Sequence, residues 1–132
     1  MRLLVILFLN SILYLNGFSQ ENYVLYSPDS TLKIKISTDK VLNYSLFANE
    51  KLLTSSPSID ININDEQNLS DKLAVKKSSY KKIREAVEVA VPYRQNKINN
   101  HYNQLTIQFK QPFSIEFRLF DNGMAYRIGT HF

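Results

Sequence analysis

Acidic side chains are the first candidates for chemistry in this 132-residue chain. Hydrolytic acid and base catalysis requires two carboxyl groups, one of them in an apolar pocket that keeps it protonated. Nothing in the flanking sequence signals such a pocket, which favours a solvated loop over a catalytic pair. A calcium site at Asp65-Glu66 would lack the glycine and the ligand spacing of a calcium-binding loop. The acidic residues concerned are Asp60, Asp65, Glu66 and Asp71.

The histidines offer no stronger site. His101 and His131 are the only two in the sequence, and neither has the spacing of a metal site or of a catalytic triad. We expect His101 to be structural, at the entry to a strand, with a hydrogen bond to the backbone. The chain has no cysteine, so it has no thiol nucleophile. The sequence therefore predicts no catalytic residue and no metal ligand in this chain.

A hairpin is predicted near the end of the sequence. Asn-Gly at 122–123 suits a type I′ turn, in which both central residues have positive φ. With Asn122 and Gly123 as the loop residues, Arg118 faces Arg127, and like charges directly opposite destabilise a strand pair. We therefore expect an acceptor over them, either Glu116 or a group from protein outside this chain. The same register pairs Asp121 with Met124, Leu119 with Tyr126 and Phe117 with Ile128.

The hairpin also carries a family resemblance. Residues 117–127 follow the pattern Phe-Arg-x-Phe/Tyr-Asp-x-Gly-x-Ala-Phe/Tyr-Arg, which resembles a hairpin in the N-terminal domain of family 97 glycoside hydrolases, α-glycosidases of Bacteroidetes. Further segments that resemble this domain are Ser27–Ile34, Ser56–Ile59 and Asn100–Leu105. The resemblance extends from about Tyr23 to Ile128.

The resemblance implies both a fold and a role. The implied fold is all-β, an antiparallel β-sandwich of the supersandwich-like, galactose-mutarotase-like kind, incomplete in this chain. In the family, the catalytic carboxylates and most calcium ligands lie in a downstream (β/α)8 barrel, against which this domain packs. The resemblance thus implies a non-catalytic domain that binds no cofactor of its own, whereas the full-length family binds calcium. It also implies the barrel as the partner of this domain and α-linked glucosides or galactosides as the substrates of the complete enzyme.

Three tyrosines in polar surroundings are candidates for contact with a sugar. An exposed aromatic ring offers a flat apolar face that suits the C–H face of a pyranose. The alternative is that they belong to the core, because most aromatic residues of so small a domain must fill it. The candidates are Tyr80, Tyr93 and Tyr102.

The N-terminal segment predicts export. A positive start, an apolar run from Leu3 to Leu15 and small residues before position 20 are typical of a signal peptide, residues 1–19, with cleavage after Ser19. The alternative, a membrane anchor, needs about 20 apolar residues, so we expect no membrane span after cleavage. We predict a periplasmic or outer-membrane associated protein whose single domain is residues 20–132.

The charge pattern argues against a nucleic-acid partner. The formal net charge is +4, and lysines are dense between Lys72 and Arg84. They are interleaved with Glu85 and Glu88, and the chain is predicted to be exported. A solvated face explains these lysines better than a nucleic-acid site.

In the mature sequence, apolar and polar residues alternate with a period of two. This alternation predicts an all-β meander of about eight strands that must position these residues. Strands are predicted around Ile34, Tyr44 and Ile61, over Tyr102–Phe109 and over Ser114–Phe120. The first two should form a hairpin through 38–40, and 48–51 should be the next turn. Residues 65–71 are predicted to form a polar loop, and 72–88 are compatible with one short helix or with two frayed strands.

We interpret the chain as the non-catalytic N-terminal domain of an exported α-glycoside hydrolase. It would support the barrel and the mouth of its active site, and would be inactive alone. The alternative is a stand-alone carbohydrate-binding or adhesion module of the cell envelope.

Overall fold

The computed structural model describes residues 22–39, 41–55, 57–63, 67–68, 73–88, 90 and 97–131. Every regular element within these ranges is a β-strand, and none of them contains a helix long and apolar enough to cross a bilayer. The predicted signal peptide, residues 1–19, lies outside the described residues. The strands are β1 (Asn22–Tyr26), β2 (Leu32–Ser37), β3 (Leu42–Ala48), β4 (Lys51–Thr54), β5 (Ser58–Ile59), β6 (Asn62–Ile63), β7 (Gln67–Asn68), β8 (Val75–Glu88), β9 (Lys97–Phe109), β10 (Phe113–Phe120) and β11 (Gly123–Thr130).

Two antiparallel sheets make up the fold. The first sheet has the order β1-β2-β3-β4, and β5 also pairs with β3. The second sheet has the order β11-β10-β9-β8, and the short strands β6 and β7 pair with each other. The predicted all-β antiparallel sandwich is therefore confirmed, and β2 and β3 form the predicted hairpin.

The core lies between the two sheets and follows the period of two. β10 buries every second residue from Phe113 to Leu119, because alternate side chains of a strand point to the same face. β2 contributes Ile34 and Ile36 from the opposite sheet. The other core residues are Leu25, Leu42, Ile59, Leu105, Ile107, Phe109, Ile115 and Phe117.

The turn after β3 was predicted correctly. Ala48 pairs with Lys51, so Asn49 and Glu50 are the two loop residues. Their φ values of 47° and 63° are those of a type I′ turn. The side chain of Glu50 also forms an ion pair with Lys33.

The predicted turn at Asn122-Gly123 is wrong in its position and type. Phe120 pairs with Gly123, so Asp121 and Asn122 form the turn, and neither of them nor Gly123 has a positive φ. Each β10 residue therefore pairs with a β11 residue two positions earlier than predicted: Arg118 faces Ala125, and Arg127 faces Glu116.

Two contacts outside the turn explain this register. The carboxylate of Asp121 accepts a hydrogen bond from the backbone of Asp29, which holds Asp121 at the end of the sandwich. Met124 then lies opposite Leu119 and packs against the core. Tertiary contacts thus override the local preference of Asn122-Gly123 for a type I′ turn.

Other boundaries also depart from the prediction. The strand expected around Ile61 is divided into β5 and β6, and β7 lies within the expected polar loop, which raises the number of strands above the expected eight. Within the predicted segment 72–88, the described residues Val75–Glu88 form one strand that pairs with β9, so the helix interpretation is wrong and the expected two frayed strands are one continuous strand. β9 begins at Lys97, earlier than the expected start at Tyr102.

β8 and β9 continue past the rest of the second sheet. β10 pairs with β9 only over Asn103–Gln108. The segments Ile83–Glu88 and Lys97–Tyr102 pair only with each other among the described strands, and we name this two-stranded ribbon the arm.

Candidate functional site

Segments far apart in the sequence meet at one end of the sandwich. The backbone N–H of Asp29, in the loop between β1 and β2, donates to Asp121 Oδ1 at 2.9 Å. Asn103 Nδ2 of β9 donates to the carbonyl of Tyr26 at 2.7 Å. We name this place the junction. It joins three of the segments that carry the family resemblance, so their shared role is to fix the first sheet against the second.

Asp29 organises its own loop at the junction. Its Oδ1 accepts hydrogen bonds from Ser27 Oγ at 2.7 Å, from the Thr31 backbone at 2.9 Å and from Thr31 Oγ1 at 2.8 Å. The Ser27 hydroxyl is buried and accepts from the Leu32 backbone. These bonds, the Ser27 bond first, lower the pKa of Asp29 to about 2. Asp29 is therefore ionised at neutral pH and serves as an acceptor, not as a general acid.

A second polar cluster lies on the outer face of the second sheet. Glu116 Oε1 lies 2.7 Å from Arg118 Nη2 and 3.1 Å from Arg127 Nε. Gln104 Nε2 donates to Glu116 Oε2 at 2.9 Å. Of the two acceptors that were left open, Glu116 is the one that contacts both arginines, and it lies directly opposite Arg127, not diagonal to it. We name these residues with Tyr102 the arginine cluster.

Tyr102 belongs to this cluster and is not exposed. It is 5% exposed, its ring is 4.9 Å from that of Phe120, and the Arg118 guanidinium lies 4.9 Å from its centroid. The expectation that Tyr102 offers its ring to a sugar is therefore wrong, because Arg118 and Phe120 cover it. Tyr93, the second candidate, lies outside the described residues.

Tyr80, the third candidate, lines a groove between the two sheets. The groove has a volume of about 430 Å³ and runs between β1 and β8, the outermost strands of their sheets. Tyr80 is 54% exposed, and Val24 of β1 lines the same groove. Partial burial raises the pKa of Tyr80, so its hydroxyl stays protonated. Other residues of the groove are Tyr26, Ser30, Lys82 and Asn103.

The remaining candidates do not form a site in the described part of the chain. His101 accepts a hydrogen bond from Arg84 Nε at 2.8 Å, so the expected bond to backbone is wrong. His131 Nε2 lies 3.4 Å from Ser114 Oγ. Asp60 is exposed, while Asp65, Glu66 and Asp71 lie outside the described residues. Among the described residues no three histidine, aspartate or glutamate side chains come together as metal ligands.

Two features of the site were not predicted from the sequence. One is the role of Asp29, although an Asp side chain in a turn commonly bonds the backbone two residues further on. The groove was also missed, because it forms only where the edges of two sheets approach each other. No signal within either β1 or β8 alone indicates it.

Comparisons with known proteins confirm the resemblance. The model of the family described as Glycosyl-hydrolase 97 N-terminal matches residues 25–130. A retaining alpha-galactosidase of Bacteroides thetaiotaomicron is 33% identical over 110 residues, which cover 83% of this chain and 16% of that protein.

Solved structures of a glycoside hydrolase family 97 enzyme from Pseudoalteromonas sp. strain K8 share the fold. Its complexes with acarbose and with panose each have a TM-score of 0.73 at 19% identity, over 82% of this chain and 17% of that enzyme. The chain thus spans about one sixth of the length of these relatives. It belongs to the glycosyl-hydrolase 97 N-terminal family.

Proposed function

We propose that this chain is the non-catalytic N-terminal β-sandwich of an exported α-glycoside hydrolase, where it supports a (β/α)8 barrel and helps to form the mouth of the active site. The observation that carries the proposal is the coverage: 83% of this chain aligns with only 16% of the alpha-galactosidase. The chain therefore corresponds to one domain of a much longer enzyme. The segment 1–19 supports export.

The surroundings of two carboxylates, Asp29 and Glu116, agree with a supporting role. Glycoside hydrolysis normally uses two carboxyl groups, one of which is protonated before the reaction. Asp29 is ionised and holds its loop, and Glu116 is held by Arg118 and Arg127. Both carboxylates stabilise the sandwich. The calcium expected for the full-length family would be bound mainly by the barrel.

The substrate class follows from the relatives. One is an alpha-galactosidase, and another was solved with panose, an α-linked glucoside. We therefore propose α-linked galactosides or glucosides as substrates of the complete enzyme, and contact with them by this domain. The groove at Tyr80 also favours a second candidate, a carbohydrate-binding or adhesion module that acts without a barrel.

A domain exchange tests the supporting role. Residues 25–130 replace the aligned segment of the Bacteroides thetaiotaomicron alpha-galactosidase, and hydrolysis of p-nitrophenyl α-galactoside is measured. We expect the hybrid to hydrolyse this substrate, since the sandwich would restore the support that the barrel requires. We also expect no hydrolysis by the present chain alone, with or without calcium.

Two control proteins make the exchange decisive. In one the aligned segment is deleted, and in the other an unrelated β-sandwich of similar size takes its place. A hybrid that is no more active than these controls would contradict the supporting role and would favour the stand-alone module. Hydrolysis by the present chain alone would contradict its non-catalytic assignment.

A further inference from the structure

Tyr80 lies between the core and the surface. It lies directly opposite Leu105 of β9, so both side chains point to the same face of the second sheet. Leu105 is fully buried there, whereas Tyr80 is 54% exposed. The ring of Tyr80 therefore lies at the border of the core, with much of its surface open to the groove.

The ring also faces the edge of the first sheet. Val24 and Tyr26 of β1 line the same groove as Tyr80, which lies on β8. A tyrosine side chain has only two rotatable bonds, so its ring loses little conformational entropy when a ligand stacks on it. Tyr80 is thus a flat apolar surface with a low entropic cost of ordering.

The groove does not suit an added peptide strand. A strand would have to bond the free edge of β1, where unpaired backbone groups act as a template. Asn103 Nδ2 already donates to the Tyr26 carbonyl at 2.7 Å, so an added strand could not use this edge group. Recognition in the groove therefore depends on side chains.

Those side chains combine an aromatic face with hydrogen-bonding groups. Tyr80 and Tyr26 supply exposed rings, while Lys82, Asn103 and Ser30 supply polar atoms along the same groove. A pyranose has the matching chemistry, since one face carries C–H groups and its rim carries hydroxyls. The volume of about 430 Å³ is within the range of small-molecule sites.

We infer that this groove binds one pyranose ring of an α-linked oligosaccharide, with Tyr80 as the stacking surface and Lys82 and Asn103 as hydrogen-bonding partners. The choice of an α-linked sugar rests on the proposed function. The groove belongs to this domain alone, so its test requires no barrel. Failure of the domain exchange would leave this site intact, and failure of sugar binding would leave the supporting role intact.

The absence of tryptophan from the sequence allows a site-specific test. Tyr80→Trp in the full chain introduces one fluorophore in the groove, and its indole keeps the stacking surface. Tyr126→Trp is the matched control, because Tyr126 is similarly exposed but lies on β11, away from the groove. Panose and raffinose are titrated separately as α-glucoside and α-galactoside probes, with cellobiose as a β-linked control.

We expect a saturable blue shift of the emission of Tyr80→Trp with panose or raffinose, a much smaller response to cellobiose, and none from Tyr126→Trp. Whichever α-linked probe binds more tightly identifies the sugar class. No saturable shift with either probe, or equal shifts in both variants, would overturn the site. Equal binding of cellobiose would overturn its restriction to α-linked sugars.

Calorimetry on the protein without a tryptophan substitution provides a second measurement of sugar binding. We expect Tyr80→Ala to weaken binding by about tenfold, as truncation of a central aromatic contact commonly does. Tyr80→Phe should bind within about threefold of the parent, since it keeps the ring. Far-UV circular dichroism verifies that both variants fold. Unchanged affinity of a folded Tyr80→Ala would contradict the stacking role.

Discussion

The strand β9 passes through two environments, and the difference shows what the fold requires of its sequence. From Asn103 to Gln108 it has β8 on one side and β10 on the other. From Lys97 to Tyr102, in the arm, it pairs with β8 alone. Leu105 in the first part is fully buried, whereas Ile98 in the second is 54% exposed.

The comparison separates strand formation from burial. An aliphatic residue favours a strand in both parts of β9, because β propensity is a local property. Burial requires packing from another element: Leu105 faces the core between the two sheets, whereas Tyr102 is the one buried residue of the arm because Arg118 and Phe120 cover its ring. A two-stranded ribbon has little stability of its own. We therefore expect the arm to depend on the sandwich for its structure, and the sandwich to tolerate changes in the arm.

The largest difference between the two parts of β9 should appear when one aliphatic residue in each part is truncated. Leu105→Ala should lower the free energy of unfolding by about 2 to 5 kcal/mol, because it leaves a cavity in the core. Ile98→Ala should change it by less than about 0.5 kcal/mol, since that side chain is half exposed. Urea denaturation followed by circular dichroism measures both. Comparable losses would show that the arm packs as tightly as the sandwich.

A glutamate in each region extends the comparison to polar contacts. Glu116→Gln should lower the free energy of unfolding by about 1 to 3 kcal/mol, since it leaves two arginines without their carboxylate. Glu85 in the arm accepts a hydrogen bond from Asn100 at 3.1 Å on an exposed surface. Glu85→Gln should therefore cost less than about 0.5 kcal/mol. If the two variants melt alike, the arginine cluster contributes no more than a surface contact.

A smaller, pH-dependent effect is expected at the junction. The hydrogen bonds from Ser27 and Thr31 lower the pKa of Asp29 to about 2, below the unfolded value near 4. The stabilisation is therefore fully present above about pH 4 and is lost as the pH falls towards 2. Asp29→Asn should remove this component, so parent and variant should differ most near neutral pH and converge in acid. Thermal melts from pH 2 to 7 measure the difference, and a constant difference over that range would contradict the role of the charge.

Whether a structural feature could be predicted from the sequence depends on how far apart along the chain its contacting residues lie. The alternation in β2, β3 and β10 is local, so the strands and the sandwich could be predicted. The bond between Asp29 and Asp121 joins residues 92 positions apart, and neither segment alone indicates it.

The candidate site shows the same limit. Tyr80 and Tyr102 both lie among polar residues in the sequence, yet one lines the groove and the other is covered by Arg118 and Phe120. Polarity of neighbours along a strand does not reveal which side chains from the next strand lie over a ring. Because the same criterion selected both tyrosines, the sequence could predict neither the exposure of Tyr80 nor its groove.

The smallest effects distinguish the two hairpin turns. Asn49 has a φ of 47°, so Asn49→Ala should cost about 1 kcal/mol, because alanine tolerates this region poorly. Gly123 has no positive φ, and a Cβ added there meets no atom within 4 Å. Gly123→Ala should therefore be neutral or stabilise the fold by up to about 1 kcal/mol, since alanine restricts the unfolded chain. Paired thermal melts test both signs. A loss of about 1 kcal/mol for Gly123→Ala would restore the type I′ turn at Asn122-Gly123, and with it the register that places Arg118 opposite Arg127.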